Sequence, residues 1–208
     1  MHSWGSGLRV GLMGGTFDPI HLGHLLVAEE ARQKFCLEKI IFIPTGIPPH
    51  KPSEHITPGI HRYYMTLLAT NRLPYFYVSR FEIDRAVPSY SIDTLRYFRN
   101  LYGKDARLFF ITGIDTLLDI LTWKDYEFLP DLCEFICATR PDFSFKDLQA
   151  KVYRVFPRLE ERVHYLDVPR VEISSTEIRR RREKGMSITF MVPREVERYI
   201  LKQGLFCK

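Results

Sequence analysis

The sequence predicts a three-layer α/β fold, a mostly parallel sheet with helices on both faces. Short apolar runs of strand length alternate with stretches of helical spacing along the chain, the pattern of strand-helix-strand units. The run from Leu108 to Thr112 is continuously apolar rather than alternating, as a parallel strand buried on both faces requires. No internal repeat or low-complexity tract interrupts the alternation.

Each element follows from its residues. Leu8 to Met13 is a first strand, ended by Gly14 and Gly15. Gly23 to Phe35 is a helix, with Leu26, Val27, Glu30 and Ala31 at helical spacing. Ile40 to Ile43 is the next strand, followed by Pro44. Thr45 to Gly59 holds Pro48, Pro49, Pro52 and Pro58 and reads as a loop. A helix from Ile60 to Thr70, a strand from Phe76 to Ser79 and a helix from Ser91 to Leu101 precede the Leu108 strand, which Gly113 ends. Then come a short helix from Asp115 to Leu121 and a strand from Phe135 to Ala138. A helix from Phe145 to Val155 has Leu148, Val152 and Val155 on one face, and Val163 to Val168 is a sixth strand. Two helices close the chain, Ser175 to Lys184 and Pro193 to Gln203, stopped by Gly185 and Gly204.

With 208 residues, 45% of them hydrophobic and 26% charged, the chain reads as one domain over 1–208. Residues 1–7 form a leader of unassigned role, and 172–208 a helical C-terminal part. A chain of this size buries roughly 70% of its unfolded surface and needs no staples. The longest strand-like apolar run, Leu108 to Ile111, is far short of the roughly 20 residues of a membrane span. Met1 to Gly7 lacks the basic start of a secretory signal. A net charge of +5 suits an anionic ligand without choosing between nucleotide and nucleic acid. Cys36, Cys133, Cys137 and Cys207 give neither a zinc ribbon nor a disulfide framework. Cys133 and Cys137 read as buried strand thiols, and a reducing cytoplasm is expected.

In such sheets, ligands bind beyond the carboxyl ends of the strands. Gly14 to His24, Gly113 to Asp115 and Thr45 to Lys51 lie there, so one cleft is expected. In Gly14-Gly15-Thr16-Phe17-Asp18-Pro19-Ile20-His21-Leu22-Gly23-His24 the two glycines allow close backbone approach to a ligand. His21 and His24 share one side of a helix's first turn, whose free N–H groups and dipole favour phosphate. Gly23 removes a side chain that would block approach. Two ordinary histidines or a metal pair are the competing readings, and Asp18 is the sole acidic neighbour. Neither a Walker A loop nor the dinucleotide fingerprint is present.

Four further strings have a structural reading as well as a chemical one. Ser174-Ser175-Thr176-Glu177-Ile178-Arg179 carries a capping box, Ser174 with Glu177. It also crowds hydroxyls and a guanidinium at a positive helix end, where Arg179 can fork onto a polyphosphate. Pro48-Pro49-His50-Lys51 is first a stiff exposed turn. Pro88-Ser89-Tyr90-Ser91 is first a helix cap at Ser91. Asp115 after Gly113 can simply cap its helix, and Trp123, before Lys124, can be core.

The first string resembles the H-x-G-H signature of the nucleotidyltransferase superfamily, which follows the first strand of a Rossmann-like sheet. With Asp18-Pro19, His21 and the P-P-H-K string, the whole chain from Leu8 onward resembles the bacterial nicotinate-nucleotide adenylyltransferases, five motifs falling in family order. The resemblance implies ATP and nicotinate mononucleotide as substrates, with deamido-NAD and pyrophosphate as products, and Mg²⁺ held through phosphates rather than by a protein metal site. It implies that His21 and His24 are catalytic, hydrogen-bonding the α-phosphate region. Gly14, Gly15, Thr16, Phe17 and Gly23 would position phosphates, and Gly113 and Asp115 would border the ATP cleft. Ser174, Ser175, Thr176 and Arg179 would clamp the β- and γ-phosphates. His50 and Lys51 would face nucleotide phosphates, and Trp123 would stack on the pyridine. Backbone N–H groups of Ser91 and Lys124 would grip its carboxylate. Arg140 matches the family without an assigned role.

Two rivals stand beside this reading. One is an enzyme of the same fold using nicotinamide mononucleotide, or a cytidylyltransferase. The other is a non-catalytic basic nucleotide- or RNA-binding module, which no RNP-like string or KH loop supports. No nucleic-acid or membrane partner is expected, and the oligomeric state, homo-oligomer included, is left open. The proline-rich Thr45 to Gly59 loop is the expected mover on substrate binding.

Overall fold

The computed structural model describes residues 7–48, 56–139, 145–169 and 171–207. Six strands form a single parallel sheet in the order β3-β2-β1-β4-β5-β6. They are β1 (Arg9–Gly15), β2 (Lys39–Pro44), β3 (Phe76–Val78), β4 (Arg107–Gly113), β5 (Glu134–Thr139) and β6 (Val163–Asp167). The helices are α1 (Leu22–Lys34), α2 (Gly59–Thr70), α3 (Ser91–Tyr102), α4 (Ile114–Leu118), α5 (Leu129–Leu132), α6 (Phe145–Leu148), α7 (Pro157–Glu160), α8 (Ser175–Glu183) and α9 (Arg194–Lys202).

Successive strand residues point to opposite faces, and two cores result. Val10, Leu12, Leu108, Phe110 and Phe135 pack with Ile92, Leu95 and Phe98 of α3 and Leu117 of α4. Met13, Ile40, Phe42, Phe109, Ile111 and Ile136 pack with Ala28 and Ala31 of α1, Met65 of α2, Ile178 of α8, and Val196 and Ile200 of α9. The predicted three layers are therefore present.

The strand order places the ligand crevice. β1 pairs with β2 as far as Gly15 beside Pro44, and β4 with β5 as far as Gly113 beside Ala138. Between β1 and β4, however, pairing stops at Leu12 beside Phe110. The two central strands thus part at their carboxyl ends, and their following helices go to opposite faces. That is the switch point where open α/β sheets bind ligands.

Several boundaries differ from the sequence reading. Gly14 and Gly15 still pair within β1 rather than ending it. The face of α1 that reaches the core centres on Ala28 and Ala31; Leu26 and Glu30 are only half-buried. The helix expected from Phe145 to Val155 is a short α turn followed by a π turn over Gln149–Tyr153. That wider turn rotates Val155 to 63% exposure while Leu148 and Val152 stay buried. Short α5 and α7 were not foreseen, since four residues carry no period to read. Cys137 is a buried strand thiol, its pKa pushed up to about 12 by burial, whereas Cys133, also buried, lies just before the strand. Among the described residues no helix is long and apolar enough to cross a membrane.

Candidate active site

The loop from Gly15 to α1 carries the first string into the crevice. Phe17 sits at φ 49°, in the left-handed region, with its ring buried. That turn lays the ring over Gly15, where an added Cβ would lie 3.0 Å from it. Gly15 therefore makes room for the Phe17 ring, whereas Gly14 is exposed. The Asp18–Pro19 peptide is cis.

His21 is the N-cap residue of α1 and His24 stands in its first turn. Their imidazoles stack with centroids 3.7 Å apart, and Phe17 meets His24 edge-on at 5.1 Å. The main-chain N–H of His21 donates to Nδ1 of His24 at 3.3 Å. Burial lowers the His21 pKa to about 4, and burial together with the His21 charge lowers that of His24 to about 3. Both rings are consequently neutral near pH 7. Because Nδ1 of His24 accepts, its single proton sits on Nε2. Gly23 has a role not read from the sequence: a Cβ there would lie 3.1 Å from Nδ1 of His21. The open helix end is narrower than expected, since Leu22 N–H donates to the Met191 carbonyl and His24 N–H to that of His21.

The second string closes onto the first. Ser174 caps α8, its Oγ accepting from Glu177 N–H at 3.2 Å. Only half of the predicted capping box forms, because the Glu177 carboxylate turns to Arg180 at 2.7 Å. Ser175 Oγ donates to the Pro19 carbonyl at 2.9 Å, and Arg179 donates to that of Asp18 at 2.8 Å. Arg179 also approaches Thr176 Oγ1 at 3.4 Å. The side chains expected on a polyphosphate thus first hold the histidine loop in place.

The remaining predicted residues that are described lie at the end of β4, at the starts of α3 and α4, and after α4. Gly113 and Asp115, at the start of α4, are exposed. Ser91 opens α3 as its first helical residue; the N-cap is Tyr90, so Ser91 is not the cap expected. Lys124 Nζ lies 4.7 Å from the Tyr90 ring centre and 3.9 Å from the Asp93 carboxylate. Trp123 is half-buried and meets Phe110 edge-on at 5.9 Å. Phe110 also lies 3.4 Å from where a Gly14 Cβ would be, so one ring borders both Trp123 and Gly14. His50, Lys51 and Arg140 lie outside the described residues. Among the described residues no three His, Cys, Asp or Glu side chains are grouped to hold a metal ion.

Known proteins share this layout. A cytidylyltransferase-like family model matches residues 12–181. A protein of Moorella thermoacetica is 50% identical over 198 residues, covering 95% of this chain and 91% of its own. One from Thermus thermophilus is 47% identical, covering 96% and 100%. Both are named probable nicotinate-nucleotide adenylyltransferase. This chain belongs to that adenylyltransferase family. It is accordingly a nucleotidyltransferase, and the non-catalytic rival falls away. A nicotinic acid mononucleotide adenylyltransferase of Plasmodium falciparum, solved with NaAD, has the same fold, with a TM-score of 0.76 at 20% identity over 95% of this chain and 97% of that one.

Two buried charged residues beside the β1 and β2 loops were missed in the sequence. Arg62 is 2% exposed and donates to three carbonyls, those of Thr57 and Thr16 at 2.8 Å and Gly46 at 3.3 Å. Glu82 is buried, its pKa raised by burial, and accepts from Thr94 Oγ1 at 2.6 Å. The signal for Arg62 was its helical spacing with Met65, Thr66 and Thr70, all buried.

Proposed function

We propose that this chain transfers the adenylyl group of ATP to nicotinate mononucleotide, giving deamido-NAD and pyrophosphate, with the chemistry at the His21–His24 pair. The observation that carries this reading is the stacked, neutral histidine pair at the parting of β1 and β4. An oxygen of the mononucleotide's 5′-phosphate attacks the α-phosphorus, the new P–O bond forms, and the bond to the bridging oxygen breaks. The electron pair leaves with pyrophosphate, so no protein nucleophile is needed. The chain's part is alignment and stabilisation of charge on the transferring phosphoryl group.

In this scheme, His24 presents Nε2–H to an α-phosphate oxygen, its tautomer fixed by the His21 N–H. His21, stacked beneath, supplies a second donor and keeps water from that side. The main chain of Gly14 and Thr16 lines the phosphates. The first-turn N–H groups of α8 and the remaining guanidinium donors of Arg179 take the pyrophosphate end. Trp123 lies against the pyridine, and the Ser91 and Lys124 N–H groups receive its carboxylate. His50 and Lys51 are proposed on the mononucleotide side.

A Mg²⁺ ion accompanying ATP would be held by phosphate oxygens and water rather than by side chains of this chain. When bound, that ion neutralises charge on the leaving pyrophosphate.

The test supplies ATP, Mg²⁺ and either nicotinate or nicotinamide mononucleotide, and resolves dinucleotide and pyrophosphate by chromatography. Preferential turnover of the nicotinate substrate supports the reading. Preference for nicotinamide would overturn the carboxylate pocket, and no dinucleotide from either would overturn adenylyl transfer to a pyridine mononucleotide.

A further inference from the structure

Arg62 is the largest side chain in the fully buried set, and nothing in the adenylyl-transfer scheme uses it. Its guanidinium is engaged on three sides by carbonyls from separate segments. Nη1 holds Thr16 in the loop after β1, Nη2 holds Gly46 just after β2, and Nε holds Thr57 at the entry to α2. Thr57 is held a second time, because its N–H donates to Asp18 Oδ2 at 3.2 Å. Asp18 in turn gives its carbonyl to Arg179. One closed ring therefore runs Thr16, Arg62, Thr57, Asp18. On one side it fixes the loop that carries His21 and His24. On the other it fixes Gly46 and Thr57, which bracket Pro48–Lys51 in sequence. Space at this junction is tight: a Cβ on Gly46 would lie 2.0 Å from the Glu82 carbonyl.

We propose that Arg62, with Asp18, is a positioning residue that locks the histidine loop to Gly46 after β2 and Thr57 before α2, so that the histidine pair is held in line with the transferring phosphate. This rests on the adenylyl-transfer reading above. A buried arginine suits the task because its planar fork satisfies three carbonyls in fixed directions, whereas an ammonium is a single point charge. The carboxylates of Asp18 and Glu82 offset the cost of burying the cation.

The test compares wild type with Arg62→Lys, Asp18→Ala and the double variant, each checked for a cooperative thermal transition. Misplacement of about 1 Å costs on the order of 10²-fold in rate. The expected result for folded Arg62→Lys is a fall in kcat of roughly 10- to 100-fold, with KM for both substrates little changed. The double variant should lose less than the product of the single losses, because both residues act through Thr57. A purely structural arginine would lower the thermal midpoint and leave kcat per folded molecule alone. Folded Arg62→Lys with wild-type kcat, or with a loss confined to KM, overturns the inference. If Arg62→Lys does not fold, Asp18→Ala decides on the same criterion. A wild-type chain that makes no dinucleotide overturns the adenylyl-transfer reading itself, and this inference with it.

Discussion

The main-chain N–H of His21 donates to Nδ1 of His24 at 3.3 Å while the two rings stack 3.7 Å apart. The three-residue spacing of the H-x-G-H string has this one geometric consequence: the cap residue's backbone orients the ring one turn later. A neutral imidazole held this way offers its proton in one direction only. The pair is also a store of pH dependence. Both pKa values lie below the unfolded value of about 6.5, so between about pH 4 and 6.5 the unfolded chain binds more protons than the folded one. Stability from the pair is full above about pH 6.5 and is lost as pH falls towards about 4 for His21 and about 3 for His24. The thermal midpoint should therefore fall between about pH 7 and 5, and fall less in a His21→Asn/His24→Asn variant. Glu134, held down to about 2 by His164 and Arg107 against its burial, acts only below about pH 4.5. Equal slopes in the two proteins would show that the histidines are not buried neutral.

His24→Ala removes the proposed α-phosphate donor. Losing one preorganised donor costs on the order of 10²- to 10³-fold in kcat, and that loss is expected with the circular dichroism spectrum unchanged. A purified variant with near-wild-type turnover would falsify the assigned role.

Gly23→Ala separates stability from activity. Alanine is favoured over glycine by up to about 1 kcal/mol within a helix, so α1 should not weaken. Yet the new Cβ would meet Nδ1 of His21 at 3.1 Å and Cε1 at 3.2 Å, forcing the ring to shift. Turnover should fall while the melting temperature holds, and by less than the roughly 10²-fold of a 1 Å misplacement, because the ring need shift only a few tenths of an ångström. Undiminished turnover would mean that the His21 ring position does not matter to catalysis.

How far the sequence reached can be seen in these same residues. The strands and their parallel sense were legible because Leu108 to Thr112 and its counterparts are short, apolar and spaced by helices, whereas the strand order was not. The histidine pair was legible because its spacing is local. What Ser175 and Arg179 hold was not, since their partners, Pro19 and Asp18, lie more than 150 residues away. Arg62 stayed hidden because an arginine in a helix ordinarily faces water. Its carbonyl partners are backbone atoms, which carry no sequence mark. Gly15 and Gly23 were seen as places of close approach to a ligand, and the structure adds that the rings of Phe17 and His21 also crowd them. The wider turn after Leu148 likewise had no local signature.

Ser174 and Ser175 stand side by side with different partners, and their alanine variants should differ accordingly. Ser174→Ala loses the cap on Glu177 N–H, costing about 1 kcal/mol, or about 2–4 °C in midpoint for a chain of this size. Ser175→Ala loses the bond to the Pro19 carbonyl, so it should lower kcat more than the midpoint. Melting curves and steady-state rates on the two variants separate the roles, and a Ser175→Ala enzyme with unchanged kcat would detach α8 from loop positioning.

Trp123 supplies the last test, because its position depends on Phe110 while its proposed partner is the pyridine. The T-shaped contact with Phe110 steadies the indole, and stacking on a flat aromatic ligand is worth about 1–3 kcal/mol by alanine substitution. Trp123→Ala should raise KM for the mononucleotide by about tenfold or more, with KM for ATP and kcat at saturation little changed. Trp123→Phe, which keeps a flat face and the packing on Phe110, should recover most of the loss. Were KM for ATP to rise instead, the tryptophan would belong to the ATP side of the crevice, and the pyridine would have to lie elsewhere.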